Sequence, residues 1–426
     1  MQFSILPWAK QTNIYEVNLR QYTNEGTIRA FMAHLPRLKD MGVKTLWFMP
    51  ITPISILRRK GTLGSFYAAS NYTKINPEFG NDYDFKELVN AAHELGLKVI
   101  MDWVANHTGA DHIWTIENPD FYLKDKNGNF FDKNGWDDVI DLDYRNIEMR
   151  EAMIGAMKYW VNTFDIDGFR CDMAMLTPVD FWKEARIALD SVKPLFWFAE
   201  CDQWNNPEHL EVFDAAYTWE FMKSAEGLYN RRSNLEQLIS ILRNYEQLEP
   251  KRAMKAWFTS NHDENSWNGT EYEKYGSMAA LLAVFSCTWN GVPLLYSGQE
   301  IPNTKRLAFF DKDALFWDGG TRLHEFYKKL LELHSQHPAL TASKEDVFTQ
   351  IIPCTNSDKV FMFKKTFNNH EVVVMLNLSP FYVNSVVHDK SFNGSYHELF
   401  TNKHWDAAHQ DNFQLREWDY KVWVRK

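Results

Sequence analysis

Short hydrophobic runs alternate with amphipathic stretches from residue 12 to about residue 343. The hydrophobic runs predict strands, and the helical spacing of apolar residues between them predicts helices. The predicted strands are Asn13–Asn18, Thr45–Met49, Lys98–Asp102, Ile166–Cys171, Leu195–Glu200, Val212–Thr218, Ala256–Ser260 and Pro293–Ser297. The predicted helices are Thr27–Met41, Tyr83–Leu95, Ile147–Phe164, Pro178–Val192, Phe221–Tyr229, Leu235–Tyr245, Gly276–Thr288 and Arg322–Ser335. A closed parallel barrel requires eight strand–helix units, so the pattern predicts an α/β protein with a (β/α)8 TIM barrel.

Two predicted connections are long, and the strand–helix alternation ends near residue 343. Residues 50–81 and 104–145 have little periodicity, and long insertions in compact domains are usually functional. Later residues predict short strands without helices, namely Lys359–Thr366, Glu371–Leu378, Asn384–Val387, Tyr396–Phe400 and Trp418–Arg425. We therefore expect a barrel in two parts (1–103 and 146–343), a small inserted loop domain after the third strand (104–145) and a C-terminal antiparallel β-sandwich (344–426).

Composition narrows the range of expected binding partners and the expected cellular compartment. The chain has 46 Lys and Arg residues against 56 Asp and Glu residues, a net charge of −10, and no basic run. Nucleic acid and anionic membrane surfaces are therefore poor candidates as partners. The 4 cysteines lack metal-ligand spacing, which favours free thiols. We see neither a signal peptide nor a transmembrane run, so we expect a cytoplasmic protein, or a secreted or periplasmic one if a signal was removed.

Candidate catalytic side chains end four of the predicted strands. The segments are Met101–His107, Gly168–Asp172, Phe196–Glu200 and Phe258–Asp263. In a parallel barrel the carboxyl ends of the strands form one rim, where catalytic groups collect. Three acids on that rim, together with an arginine and two histidines, suit cleavage of a glycosidic bond. The 17 Trp, 18 Tyr and 30 Phe residues include candidates for stacking on sugar rings, although composition does not separate these from the core.

Arg170 and Asp172 alternate along one strand and should point to the same face. A neighbouring guanidinium lowers the pKa of a carboxyl group and keeps it ionised, as a glycosidase nucleophile requires. A buried structural ion pair would show the same pattern. Glu200 follows an apolar run that would raise its pKa, as a general acid requires, although a lone strand-terminal Glu more often faces solvent. If both acids react, a carboxyl separation of about 5–5.5 Å predicts retention of anomeric configuration.

The end of the seventh predicted strand offers two further groups. Asp263 could stabilise the positive charge of the transition state or orient a hydroxyl group, and His262 could bind another hydroxyl. The run Asn261–Glu264 would also be ordinary for a polar loop.

Three more candidate side chains lie at the end of the third predicted strand. Asp102 is better placed to orient Arg170 than to touch substrate. His107 could reach the sugar, or it could be a packed, hydrogen-bonded histidine. Asn106 could bind a structural cation or cap the following turn.

Taken together, the four segments resemble the motifs of the α-amylase family of glycoside hydrolases in order and approximate spacing. Gly64–Tyr67 and Asp137–Asp143 resemble two further family segments. The resemblance implies a retaining enzyme acting on α-linked glucose polymers, with or without the assistance of calcium. It implies the roles of nucleophile for Asp172, acid/base for Glu200 and transition-state stabiliser for Asp263, with substrate binding by Tyr67, His107, Arg170 and His262.

Three departures from the family pattern limit these implications. Met175 and Leu176 occupy the positions of a Lys-His pair that binds leaving-side sugars in many members, so the preferred chain length is open. The short insert offers no clear set of oxygen ligands around Asn106, and Gln21–Gly26 lacks an Asp-rich calcium pattern. We expect no cofactor for the chemistry, and a structural calcium ion is left open with Asn106 as its candidate ligand.

The function favoured by these residues is hydrolysis of α-1,4-glucosidic bonds within starch, glycogen or maltooligosaccharides. The sequence separates this function poorly from two variants: a preference for short oligosaccharides or cyclodextrins, and glucan transfer. A metal-dependent barrel enzyme using Asp102, Glu200 and Asp263 is a remote alternative, because Arg170 would place a positive charge beside the metal. A non-catalytic glucan-binding scaffold would be expected to have lost an acid, and none is missing. The sequence does not indicate the oligomeric state.

Overall fold

The computed structural model describes residues 3–248, 250, 252–389, 391–406 and 411–425. Its strands are β1 (Ile14–Val17), β2 (Thr45–Phe48), β3 (Lys98–Trp103), β4 (His107–Gly109), β5 (Val139–Asp141), β6 (Gly168–Cys171), β7 (Phe196–Asp202), β8 (Ala215–Tyr217), β9 (Met254–Phe258), β10 (Val292–Tyr296), β11 (Phe348–Ile351), β12 (Val360–Phe367), β13 (His370–Asn377), β14 (Val383–Val386), β15 (Ser395–Glu398), β16 (His404–Asp406), β17 (Asn412–Leu415) and β18 (Tyr420–Arg425). Its α-helices are α1 (Leu19–Tyr22), α2 (Ile28–Met32), α3 (Leu35–Asp40), α4 (Asp82–Glu94), α5 (Trp114–Glu117), α6 (Ile147–Phe164), α7 (Val179–Asp190), α8 (Trp219–Tyr229), α9 (Leu235–Gln247), α10 (Glu271–Tyr275), α11 (Ala279–Thr288) and α12 (His324–Gln336).

Parallel strands close into a barrel in the order β1, β2, β3, β6, β7, β8, β9 and β10. Closure is made by β1, in which Ile14 pairs with Thr45 on one side and with Leu294 on the other. Every residue of β1, β2 and β6 is buried, as expected for a parallel sheet covered by helices. The predicted TIM barrel is confirmed, and the carboxyl ends of β3, β6, β7 and β9 share one rim.

One predicted helix is wrong in its extent. The pattern predicts a single helix over Thr27–Met41, whereas the structure has α2 and α3 with a break at Ala33 and His34. Pro36 accounts for the break, because proline has no N–H to donate and its ring would clash with the carbonyl group of Met32.

Several connections contain 3₁₀ helices, and two of them bear on the predicted elements. Gly276–Met278 precedes α11, so the helix predicted from Gly276 begins as a tighter turn. The connection from β7 to β8 contains the 3₁₀ helix Pro207–Glu211 and no α-helix among its described residues. No helix in the described ranges combines the length and the apolar character that a membrane crossing requires.

A two-stranded antiparallel sheet ties the inserted segment to the barrel rim. His107 on β4 pairs with Asp141 on β5, and the N–H group of Leu142 donates to the carbonyl oxygen of Asn106 over 3.1 Å. The chain therefore leaves β3, passes through the insert and returns to the rim before α6. This path places the segment preceding β5 beside the carboxyl ends of the barrel strands.

The C-terminal part forms antiparallel sheets in the orders β11-β12-β13-β18-β15-β16 and β14-β17. A second hydrophobic core, which includes Val373, Phe413 and Trp423, lies among these strands. The other face of the large sheet packs on the barrel, where the rings of Phe363 and Trp289 are 4.8 Å apart. Sequence patterning missed β11, β16 and β17: β11 is an exposed edge strand and β16 has only three residues, so neither has a clear alternation.

Candidate active site

A cavity of about 420 Å³ opens at the carboxyl ends of the barrel strands. Five sequence candidates line it: Tyr67, His107, Asp172, Glu200 and Asp263. Two others, Arg170 and His262, are buried and bonded to these lining residues. The structure therefore brings together all the candidates for catalysis and substrate binding.

Arg170 on β6 holds three carboxylates at once. Its Nη1 atom donates to Oδ1 of Asp102 and Oδ1 of Asp172, each at 3.0 Å. Its Nη2 atom lies 2.8 Å from Oε2 of Glu200. The guanidinium is fully buried, where charge–charge interactions are strong. Because β3, β6 and β7 are adjacent, this single side chain fixes the relative positions of both candidate catalytic acids.

The carboxyl groups of Asp172 and Glu200 are within hydrogen-bond reach of each other. Burial and the charge of Glu200 raise the pKa of Asp172 well above its usual value, although Arg170 lowers it. The sequence-based expectation of a lowered pKa is therefore wrong, because burial outweighs the guanidinium. Two adjacent buried carboxyl groups do not readily ionise together, which agrees with the raised pKa of Asp172. The backbone N–H of Met173 also donates to Oε2 of Glu200, over 2.8 Å.

His262 is bound by acids on both ring nitrogens. Its Nδ1 atom lies 2.5 Å from Oε1 of Glu16, and its Nε2 atom lies 3.2 Å from Oδ2 of Asp263. Burial alone would lower the pKa of His262, but the carboxylates of Asp263 and Glu16 raise it well above its usual value. In turn, burial would raise the pKa of Asp263, but the His262 charge and its hydrogen bond lower it. The loop after β9 therefore presents an ionised carboxylate to the cavity.

Asp102 lies below the cavity and acts on other side chains. It is 3% exposed, and its Oδ2 atom accepts from Nε1 of Trp47 and from Oη of Tyr67, each at 3.1 Å. Burial raises the pKa of Asp102 despite the opposing charge of Arg170. Its contacts agree with the expectation that it orients Arg170. The hydroxyl group of Tyr67 also lies 2.7 Å from Nε2 of His262. Tyr67 therefore links Asp102, which binds Arg170, to His262, which binds Asp263.

Aromatic residues and an ion pair form the cavity walls. The ring of Trp136 lies 5.3 Å from that of His107, and burial lowers the pKa of His107 to about 4, so this histidine is neutral at pH 7. Lys60, from the long loop after β2, lies 3.0 Å from Oδ1 of Asp138 in the insert. Trp267, which is 52% exposed, reaches the opposite side of the cavity. The two long connections thus enclose the site, as their lengths predict.

Sequence reasoning missed Glu16, Lys60, Trp136 and Trp267. A signal was available for Glu16, because an acid within the apolar run Ile14–Val17 is costly to bury without a partner. Lys60 and Trp136 lie in loops without periodicity and Trp267 lies in the short π-helix Glu264–Asn268, so only the fold brings these three to the cavity.

Asn106 lies beside the cavity and is almost fully buried. Its Nδ2 atom donates to Oδ1 of Asp141 over 3.4 Å. Burial and a hydrogen bond with Asp132 raise the pKa of Asp141 to about 6. Amide and carboxyl groups supply the oxygen donors that Ca²⁺ takes, but the amide atom of Asn106 that faces Asp141 here is its nitrogen. The ammonium of Lys133, 3.7 Å from Asp141, already supplies part of the positive charge.

Comparison with known proteins identifies the barrel. The family model for the α-amylase catalytic domain matches residues 11–135 and 117–329. These segments contain all the barrel strands and every acid described above. This chain belongs to the α-amylase family. The resemblance found in its sequence is thereby confirmed.

Individual relatives place this α-amylase family member among proteins of several specificities. It is 28% identical to an α-amylase from Lactobacillus plantarum, with a TM-score of 0.88 over 98% of this chain and 100% of the other. It is 30% identical to a maltogenic α-amylase from Thermotoga neapolitana, with a TM-score of 0.86 over 98% and 97%. A cyclomaltodextrinase from Geobacillus thermopakistaniensis is 24% identical over 83% of this chain and 62% of the relative.

Proposed function

We propose that this α-amylase family protein hydrolyses α-1,4-glucosidic bonds in starch, glycogen or maltooligosaccharides by a retaining double displacement. The supporting observation is that Arg170 binds the carboxyl groups of Asp172 and Glu200, which are within hydrogen-bond reach of each other. Inverting enzymes keep their two carboxyl groups about 6.5–9.5 Å apart to admit a water molecule, whereas retaining enzymes hold them closer. The contact between Asp172 and Glu200 supports the retaining arrangement, in which Asp172 itself attacks.

In the first step, Asp172 attacks the anomeric carbon while Glu200 donates a proton to the departing glycosidic oxygen. The bond between the anomeric carbon and that oxygen breaks, and a glycosyl ester with Asp172 forms. The proton of the pair must lie on Glu200 when substrate is bound. Arg170 contacts both carboxyl groups, so an ionised Asp172 beside a protonated Glu200 is part of the proposal.

In the second step, Glu200 takes a proton from water, and the resulting hydroxide attacks the anomeric carbon of the ester. The ester bond breaks, Asp172 leaves as a carboxylate and the pair regains its single proton. Two inversions at one carbon give net retention.

Positive charge that develops on the sugar ring requires a fixed anion nearby. Asp263 lines the cavity, and the charge of His262 keeps it ionised. We assign Asp263 to this role, and Tyr67 and His107 to binding of the same sugar. In this mechanism, side chains of the protein act as the acid, the base and the nucleophile.

Product chromatography tests the proposal with soluble starch and a linear maltooligosaccharide. Wild-type protein should give shorter fragments from both. Asp172→Asn should lose at least about a thousandfold in kcat, because the nucleophile is absent. Glu200→Gln should lose a similar factor on starch but release fluoride from a maltosyl fluoride, since that leaving group needs no proton.

Exposed Asp358→Asn, remote from the cavity, is the matched control and should behave as wild type. Unchanged substrates with the folded wild-type protein would contradict the assignment.

Action on short or cyclic glucans is the second candidate. It is favoured by the limited cavity volume of about 420 Å³ and by the ion pair between Lys60 and Asp138, two residues that line the cavity. Relatives that carry the names cyclomaltodextrinase and maltogenic α-amylase also favour it. Comparison of kcat/KM on starch, maltotriose and β-cyclodextrin separates the two: a higher value on starch supports endo-hydrolysis, and a higher value on the small substrates supports the second candidate.

A further inference from the structure

A second cavity, of about 640 Å³, lies at the end of the barrel opposite the active site. Its lining comes from six parts of the chain: the N-terminal segment with Lys10, Glu246 on α9, the start of β9 with Arg252 and Lys255, Asn290 and Gly291 before β10, the segment 341–347 after α12, and Lys365 on β12. It therefore lies between the amino ends of the barrel strands and the C-terminal sheet.

Basic side chains predominate among the described residues that line this cavity. They are Lys10, Arg252, Lys255, Lys344 and Lys365, against two acids, Glu246 and Glu345. The chain as a whole carries a net charge of −10. A cleft lined by one sign of charge concentrates ligands of the opposite sign. The cavity lining is thus locally positive in a protein of negative net charge, and it favours binding of a small anion.

Lys365 is the most unusual of these residues. It is 1% exposed and lines the cavity, and its ammonium makes no direct hydrogen bond or ion pair within the described ranges, although the charge of Glu246 acts on it. Its neighbour Lys364 provides the contrast, since it donates to the carbonyl oxygen of Ser391 over 2.7 Å and lies 3.4 Å from Glu371. A buried cation is costly unless an anion or hydrogen-bond acceptors compensate it. A cavity ligand would supply what Lys365 lacks.

Arg252 adds a guanidinium that the backbone holds in place. Its Nη2 atom donates to the carbonyl oxygens of Leu210 and Glu211, at 3.0 and 2.7 Å. Its Nε and Nη1 atoms are buried and have no hydrogen-bond acceptor within the described ranges, although Nη1 lies 3.6 Å from Asp214. Because these two atoms are shielded from solvent, Arg252 contributes its fixed positive charge to the cavity rather than a direct hydrogen bond.

We propose that this cavity binds a small molecule with a phosphate monoester group, whose dianion is bound by the ammonium of Lys365, with Lys10 at the cavity edge and the positive charge of Arg252 nearby. The neutral side chains of Ser4, Asn290 and Ser343 also line the cavity and can bind hydroxyl groups of a phosphorylated sugar. Free inorganic phosphate presents the same dianion without the sugar. The site is independent of the catalytic groups, although β9, which begins in its lining, leads to Asp263.

The binding should depend on pH through Lys365. Burial lowers the pKa of Lys365 to about 7, although Glu246 raises it. The other ionisable groups at the cavity are Lys10, Arg252, Lys255, Lys344 and Glu345, and the buried His334 behind Lys365 has a pKa lowered to about 4. Affinity for an anion of constant charge should therefore fall between pH 6 and pH 8.

Isothermal titration calorimetry of the full chain tests the site, with inorganic phosphate and glucose 6-phosphate as ligands at constant ionic strength. Both should bind saturably with one site per chain. Lys365→Met, which replaces a buried ammonium by an apolar side chain of similar length, should weaken binding roughly tenfold or more. Lys10→Met should weaken it by a smaller factor. Exposed Lys403→Met is the charge-matched control and should bind as wild type. A sulfate titration at pH 6 and pH 8 isolates the ionisation of Lys365.

Turnover of maltooligosaccharide by folded Lys365→Met should equal that of wild type, which separates this proposal from the catalytic one. Tighter binding of glucose 6-phosphate than of phosphate would identify the sugar ester as the ligand, and equal binding would identify the free ion; both outcomes support the anion site. Absence of saturable binding up to about 10 mM, or unchanged affinity in folded Lys365→Met, would overturn it.

Discussion

The Nδ1 atom of His262 lies 2.5 Å from Oε1 of Glu16, and both side chains are shielded from solvent. The contact joins β1 to the loop after β9. With Asp263 on the other ring nitrogen, Glu16 keeps the imidazole positively charged. That charge in turn keeps Asp263 ionised at the cavity wall. Glu16 is therefore a positioning residue, which acts on the substrate only through its neighbours.

Replacing Glu16 by Gln should lower kcat/KM by about tenfold at pH 7, which corresponds to about 1.4 kcal/mol of transition-state stabilisation. The pKa of His262 should fall because one of its two carboxylate partners is lost. The alkaline limb of the pH–rate profile should consequently move to lower pH, and the histidine resonances in NMR should titrate at lower pH.

Glu16→Asp retains the charge and should recover part of the activity. Exposed Glu94→Gln is the control and should leave the profile unchanged. A loss of activity in Glu16→Gln with an unchanged pH profile would mean that Glu16 only supports packing.

Asp172→Asn should stabilise the fold while it abolishes turnover. The pKa of Asp172 is raised in the folded protein, so the folded state binds more protons than the unfolded state and loses stability as pH rises above the unfolded value of about 4. The variant avoids this loss. Its gain in free energy of unfolding should be about 1–2 kcal/mol at pH 7 and smaller at pH 5. Urea unfolding curves at the two pH values measure it, and a gain that is larger at pH 5 would contradict the assignment.

Arg170→Lys should damage both stability and catalysis. A lysine ammonium cannot reproduce the two hydrogen bonds of the planar guanidinium to Asp102 and Asp172 together with its ion pair to Glu200. We expect a loss of about 1–3 kcal/mol in the free energy of unfolding and at least about a hundredfold in kcat, with a small change in KM.

The matched control is Arg145→Lys, since Arg145 binds Asp143 at the surface. Exposed ion pairs contribute about 0–1 kcal/mol, so stability and kcat should hardly change. Equal effects of the two substitutions would contradict the central role of Arg170.

Calcium should stabilise the insert without taking part in turnover. We propose Asp132 and Asp141 as the groups that would hold the ion. Because Asp141 has a pKa raised to about 6, binding should release a proton and be tighter at pH 7 than at pH 5. Added Ca²⁺ should raise Tm by a few degrees in wild type and not in Asp141→Asn, while kcat at 25 °C stays unchanged. A kcat that depends on Ca²⁺ in fully folded protein would contradict this.

Periodicity was sufficient to predict the barrel and its strand ends, because each strand is an isolated apolar run between polar segments. It failed where a single residue overrides the pattern, as Pro36 does in Thr27–Met41, and where strands are short or exposed, as in β11 and β16. Sequence spacing also placed Arg170 and Asp172 on one face, as observed.

The environment of the site could not be derived in the same way. The raised pKa of Asp172 results from burial and from Glu200 on another strand, and Trp136 reaches His107 only through the fold of the insert. Glu16 is the instructive case, because a buried acid in β1 signals a partner but does not reveal that the partner is His262.

The most direct test of the mechanism is the configuration of the first product. Proton NMR should follow maltotriose hydrolysis at enzyme concentrations high enough to outrun mutarotation. Attack by Asp172 followed by attack of water predicts that the new reducing end appears first as the α-anomer and equilibrates later. Initial formation of the β-anomer would contradict the assignment of Asp172 as nucleophile and of Glu200 as acid/base.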